Sequence, residues 1–159
     1  MLRRDGVEVA GRINEPEGDG RGGRGLEAAE ATIALSGAGA CIAEARHRAT
    51  AFLTEYERGH RSRVPDRVVG LAELVVSELV TNACKYAPGP VLLCLRLAGE
   101  ALEVEVWDSD PVLPAVSGAD PQRVGRHGLE IVEAVVADLA VLRETVGKRI
   151  TARILLTAT

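Results

Sequence analysis

A carboxylate and a carboxamide four residues apart, Glu78 and Asn82, interrupt a run from Val68 to Ala83 that is otherwise made of core-forming side chains. Leu71, Leu74, Val75 and Leu79 recur there at helical spacing, and at about 100° per residue Glu78 and Asn82 fall on the same stripe. Both are therefore expected to point inward. An unpaired carboxylate taken out of water costs on the order of several kcal/mol even after relaxation. A fold that keeps this pair must supply a partner, and a divalent cation or a bound polar ligand would serve.

The chain has 159 residues, enough for one hydrophobic core and too few for two. Aromatic residues make up only 3% of it, so the core must be built from Leu, Val, Ile and Ala, which suits a domain mixing helices and strands. A formal charge of -4 gives no electrostatic footprint for direct nucleic-acid binding or for an anionic membrane surface. Cys41, Cys84 and Cys94 are odd in number and lack C-x-x-C spacing, so neither a disulfide framework nor a zinc site is expected. No apolar stretch approaches a membrane span, and Met1-Leu2-Arg3-Arg4-Asp5 leads into glycine and charge instead of an apolar signal core. These features together predict a cytoplasmic protein.

Residues 1–30 are rich in Gly and charge and poor in side chains worth burying, which predicts a disordered tail ahead of a folded domain over residues 31–159. Within that domain the pattern predicts a strand over Ala31–Leu35, a helix from Cys41 to Arg58, and a helix from Asp66 to Tyr86 ended by Pro88-Gly89-Pro90. Two strands follow, Val91 to Leu97 and Leu102 to Trp107, joined in hairpin fashion at Gly99-Glu100. Leu102, Val104 and Val106 alternate with Glu103, Glu105 and Trp107, and the same period puts Asp108 on the buried face. Residues 109–125 form a long loop of the sort usually kept for function. A helix from Leu129 to about Asp138 and strands Ala140–Glu144 and Arg149–Leu156 complete the chain. Lys148 is expected to decorate the turn of that last hairpin.

Three polar features thus line up in order: Glu78-x-x-x-Asn82 on a helix, Asp108 at a strand end, and Gly125-x-x-Gly128-Leu129 at a helix start after a long loop. Together they resemble the GHKL ATPase superfamily, the nucleotide-binding fold of sensor histidine kinases, gyrase-type topoisomerases and heat-shock chaperone ATPases. The wording Leu74-Val75-Val76-Ser77-Glu78-Leu79-Val80-Thr81-Asn82-Ala83 is similar to that of the bacterial anti-sigma-factor serine kinases and their relatives. The resemblance implies an α+β, two-layer sandwich of the Bergerat type: a mixed, mostly antiparallel sheet with the helices packed on one face.

It also implies roles. Asn82 is the Mg²⁺ ligand, its amide oxygen being a hard neutral donor, and Glu78 is the catalytic base one turn away. Asp108 accepts a hydrogen bond from the adenine amino group of ATP. Gly125 and Gly128 let backbone approach the phosphates, and the first amides of the helix at Leu129 present its positive end to them. Arg126 and His127 either add charge beside the phosphates or form an exposed lid pair. Lys85 either reaches a phosphate or is a solvated lysine favoured at a helix C-terminus. The family's Asp-x-Gly-x-Gly reads Asp108-Ser109-Asp110-Pro111-Val112 in this chain, with both glycines missing.

Two functions are compatible with this set. The first is an ATP-dependent serine/threonine kinase that binds a sigma factor and phosphorylates a serine of a STAS-type anti-sigma antagonist. The second is a noncatalytic ATP-dependent protein-binding switch, which the missing glycines favour. A sensor histidine kinase is disfavoured, because His47 lies in one helix and not in a helical hairpin. The resemblance is also compatible with a homodimer.

Overall fold

The computed structural model describes residues 28–36, 40–86, 89–110 and 127–157. The expected tail lies almost wholly outside these residues, as does most of the loop after Asp110. The elements run β1 (Ala29–Leu35), α1 (Cys41–His60), α2 (Asp66–Tyr86), β2 (Val91–Ala98), β3 (Ala101–Asp108), α3 (His127–Val135), β4 (Asp138–Arg143) and β5 (Lys148–Leu155). The five strands form one sheet in the order β1-β2-β3-β5-β4. Every pairing among the described residues is antiparallel, so the sheet is simpler than the mixed one expected.

Period-two patterning explains how the layers meet. Ile33 and Leu35 of β1, Val91, Leu93, Leu95 and Leu97 of β2, Leu102, Val104 and Val106 of β3, and Ile150, Ala152 and Ile154 of β5 are all buried in one cluster. The same cluster takes in Cys41, Ala45, Ala49, Leu53 and Tyr56 of α1 and Val68, Ala72, Val75, Val76, Leu79, Val80 and Ala83 of α2. This makes a two-layer α+β sandwich with the helices on one face of the sheet. Leu129 and Val132 of α3 join the core beside α2.

The turns are built by local chemistry. Helix α1 ends at Arg61 in the left-handed region, φ 49°, and the Glu57 carboxylate then accepts the Val64 N–H at 2.8 Å. That bond fixes the short connection into α2, whose first turn is set by Pro65. The β2–β3 hairpin turns at Gly99 and the β4–β5 hairpin at Gly147, both at positive φ, where glycine carries no Cβ penalty.

The boundaries shift from the sequence expectations by one to three residues in every element but α2, and two of the shifts stand out. Strand β1 starts two residues earlier, at Ala29. Helix α3 runs from His127 to Val135 instead of from Leu129 to Asp138, because Asp138 already pairs with Arg153 across β4–β5.

Candidate functional site

Helix α2 presents a deep face and a flank. Val68, Ala72, Val75, Val76, Leu79, Val80 and Ala83 carry the deep packing, each almost fully excluded from solvent. Leu71, Leu74 and Glu78 are half-buried, and Asn82 is buried at 6% exposure. The flank of Leu71, Leu74 and Glu78 is therefore the edge of the core and not its centre, and that is where a cleft can open.

Asn82 Oδ1 is buried and has no hydrogen-bond partner. Mid-helix N–H groups are already committed to carbonyls one turn back, so an acceptor oxygen at this position needs a donor or a cation from elsewhere. The neighbouring hydroxyls do not share the problem: Ser77 Oγ donates to Glu73 O at 2.7 Å and Thr81 Oγ1 to Ser77 O at 2.5 Å. A hard oxygen left open in the interior fits a magnesium ligand. No cluster of three His, Cys, Asp or Glu that could hold a metal ion occurs among the described residues. A cation here would rest on Asn82, water and phosphate oxygens, as Mg²⁺ commonly does.

Glu78 and Gly128 meet in space. A Cβ on Gly128 would overlap Glu78 Oε2 and stand 3.2 Å from its Cδ. The glycine thus lets the first turn of α3 come against the carboxylate without displacing it, and the positive end of the helix favours that charge. Two motifs 50 residues apart in sequence are joined by this contact. Gly128 lies within the first turn of α3 and Leu129 is buried in the core beneath it, so Leu129 contributes its backbone and not its side chain to this corner. Gly125, Arg126 and the His127 side chain lie outside the described residues. Lys85 is exposed in the last turn of α2, which leaves both of its readings open.

Asp108 closes β3 and is 1% exposed, on the buried face that the alternation requires. Its partner corrects one expectation. Lys148 does not decorate a hairpin: it is 1% exposed, and its Nζ donates to Asp108 Oδ1 at 3.0 Å and to Asp110 O at 3.3 Å. The reason is register, since β5 pairs with β3 so that Lys148 stands opposite Asp108. The signal was present in the sequence. Running the inward period of Ile154, Ala152 and Ile150 back by two residues lands on Lys148.

The end of α2 approaches the same corner. Burial pushes the Cys84 thiol up from its ordinary 9.0 to about 12, helped by a hydrogen-bonding contact with Cys41 and by the charges of Cys41 and Asp108. The two sulfurs lie 2.7 Å apart as free cysteines. Asn82, Cys84 and Asp108 thus belong to one region, between the C-terminal end of α2 and the end of β3.

Comparison with known proteins places this arrangement. A family model described as a histidine kinase-like ATPase domain matches residues 40–154. The crystal structure of the RsbU and RsbW domains of Rv1364c from Mycobacterium tuberculosis shares the fold, with a TM-score of 0.59 and 18% identity over 79% of this chain. This chain spans 31% of that one. The histidine kinase domain of the blue-light activated histidine kinase from Erythrobacter litoralis EL346 superposes with a TM-score of 0.44 and 20% identity, covering 72% of this chain and 70% of its own. No curated protein matches the sequence. Among the described residues no helix is long and apolar enough to cross a membrane. With its motifs in order on α2, β3 and α3 and a family match across nearly all of the folded part, the chain belongs to the histidine kinase-like ATPase domain family.

Proposed function

We propose that this chain is an ATP-dependent regulator of the anti-sigma-factor serine kinase type, transferring the terminal phosphate of ATP to a serine of a STAS-type antagonist and binding a sigma factor. The observation that carries the ATP-site reading is the buried, unpartnered Asn82 Oδ1 one helical turn from Glu78. Family membership and the RsbW domain of the fold neighbour lend support.

In this reading Asn82 Oδ1 would hold Mg²⁺. Bound there, the ion withdraws charge from the phosphate oxygens. Glu78 accepts the proton of the serine hydroxyl as its oxygen attacks the terminal phosphorus. The bond from that phosphorus to the bridging oxygen breaks, and ADP leaves. The Glu78 carboxylate suits the task, because it takes no hydrogen bond from the described residues and Gly128 sets no Cβ against it. Asp108 takes the amino group of adenine.

Radiolabelled ATP and a candidate antagonist test the reading directly. Transfer by the wild type that Glu78→Ala abolishes, with ATP affinity retained, is the expected result. A second reading is a noncatalytic switch, in which ATP binding alone reshapes a partner surface. The glycine-free Asp108-Ser109-Asp110 segment tied to Lys148 favours it. Tight Mg²⁺-dependent ATP binding with no phosphate transferred to any antagonist would decide for the switch.

A further inference from the structure

The Asp108–Lys148 pair is an expensive feature for a small core. Both side chains are about 1% exposed, and each buried ion carries a desolvation cost on the order of several kcal/mol. Apolar residues of similar volume commonly serve stability as well or better. What the pair does provide is orientation. Asp108 Oδ1 accepts two bonds, from Lys148 Nζ at 3.0 Å and from the Asp110 N–H at 2.9 Å. Asp108 Oδ2 takes no hydrogen bond from the described residues. Lys148 is engaged in turn: its other hydrogen bond goes to Asp110 O, and Asp110 Oδ2 stands 3.9 Å away.

Close packing holds the same segment from two sides, at its backbone by Gly147 and at the Ser109 side chain by Gly89. Gly147, at φ 85°, lies so close to Asp108 that a Cβ would overlap its carbonyl and stand 2.9 Å from Ser109 Cα. A Cβ on Gly89 would stand 2.8 Å from Ser109 Oγ. The glycines absent from the segment itself are therefore present on the elements packed against it. The segment is shaped by tertiary contacts, with Lys148 at their centre.

We infer that Lys148 is a positioning residue for nucleobase selectivity: it clamps one oxygen of Asp108 and the following turn, so that the other oxygen is held ready for a single N–H donor such as the exocyclic amino group of adenine. The inference rests on the ATP-site reading given above. An ionised carboxylate oxygen accepts and never donates, so it repels the carbonyl that guanine presents at the corresponding position. The Lys148 ammonium is turned to Asp108 Oδ1 and Asp110 O, which take two of its three donors.

The test compares ATP with purine riboside triphosphate, which differs only in lacking the 6-amino group, in equilibrium binding to the full chain with Mg²⁺. One hydrogen bond to a charged acceptor predicts that the wild type prefers ATP by about tenfold to a hundredfold. In Lys148→Met the preference is expected to fall to about twofold or less, with affinity for the analogue unchanged. Equal weakening of both ligands assigns Lys148 a structural role and overturns the inference, as does an undiminished preference. If Lys148→Met does not fold, Lys148→Gln, neutral and one bond shorter, is read against the same two ligands with the same expectation. A wild type that binds neither ligand overturns the ATP-site reading itself, whereas strong binding of both without preference overturns only the selectivity argument.

Discussion

Replacing Asn82 by Leu should make the free protein more stable while abolishing its response to Mg²⁺ and ATP. Buried polar residues usually lose stability when made apolar, because a partner is left unsatisfied. Here Oδ1 has no partner to lose. Its desolvation without a hydrogen bond costs about 1–3 kcal/mol, which the substitution removes. Burying a leucine adds about 1.5–3 kcal/mol, against about 1–3 kcal/mol for imperfect fit of its branched end. The net expectation is a gain of about 1–3 kcal/mol, or roughly 4–12 °C in Tm for a domain of this size. Ligand acts in the opposite sense. At a hundred times Kd, ATP with Mg²⁺ raises wild-type stability by about 2.7 kcal/mol, and the variant should show no such rise. Scanning calorimetry of both proteins, with ATP and either Mg²⁺ or chelator, reads all terms at once. A free variant less stable than the wild type by more than about 1 kcal/mol, or one that keeps the Mg²⁺-dependent shift, would refute the reasoning.

Gly128→Ala should drive a methyl group into the Glu78 carboxylate, and a displacement of about 1 Å there predicts a loss of phosphate transfer near a hundredfold. Its Tm should change little, because alanine's helix propensity offsets about 1 kcal/mol of the overlap; transfer assays beside thermal melts check both parts. Arg61→Gly should raise stability slightly, by about 0.5 kcal/mol in urea titration, since glycine avoids the left-handed penalty at φ 49° but gains freedom in the unfolded chain. The Cys84 thiol, held up to about 12 by burial and its neighbours, binds its proton more tightly folded than unfolded. Its contribution to stability is therefore complete below pH 9 and is lost as pH rises from 9 toward 12. Urea midpoints measured across that window should fall less steeply in Cys84→Ala than in the wild type.

Much of the frame is legible from periodicity alone, because each element has one buried face. Helix α2 spans Asp66–Tyr86 as its pattern predicts, and the alternation in β3 puts Asp108 inward. What periodicity misjudges is depth. Leu71, Leu74, Val75 and Leu79 mark the stripe that carries Glu78 and Asn82, yet of these only Val75 and Leu79 reach the deepest layer, beside Val76, Val80 and Ala83. A helical wheel gives direction but not the position of the next element, and it is the arrival of α3, with Gly128 against Glu78, that turns this flank into a corner. That contact depends on tertiary packing, so no local rule predicts it.

Lys148 shows the other limit. Its inward direction could be read from Ile150, Ala152 and Ile154, but its partner depends on β5 pairing with β3, a non-local register. Strand order decides the chemistry here. With β5 inserted between β3 and β4, the last hairpin brings its only lysine to the end of the strand that carries Asp108. The two missing glycines of the Asp108 motif then read differently from simple loss. A segment that lacks its own flexible residues can still hold one shape if neighbouring glycines admit it and a buried cation ties it down. Gly147, Gly89 and Lys148 provide both. The departure from the family pattern and the unexpected buried lysine are thus two sides of one structural solution, in which the constraint on Asp108 moves from the loop's sequence to the sheet's topology.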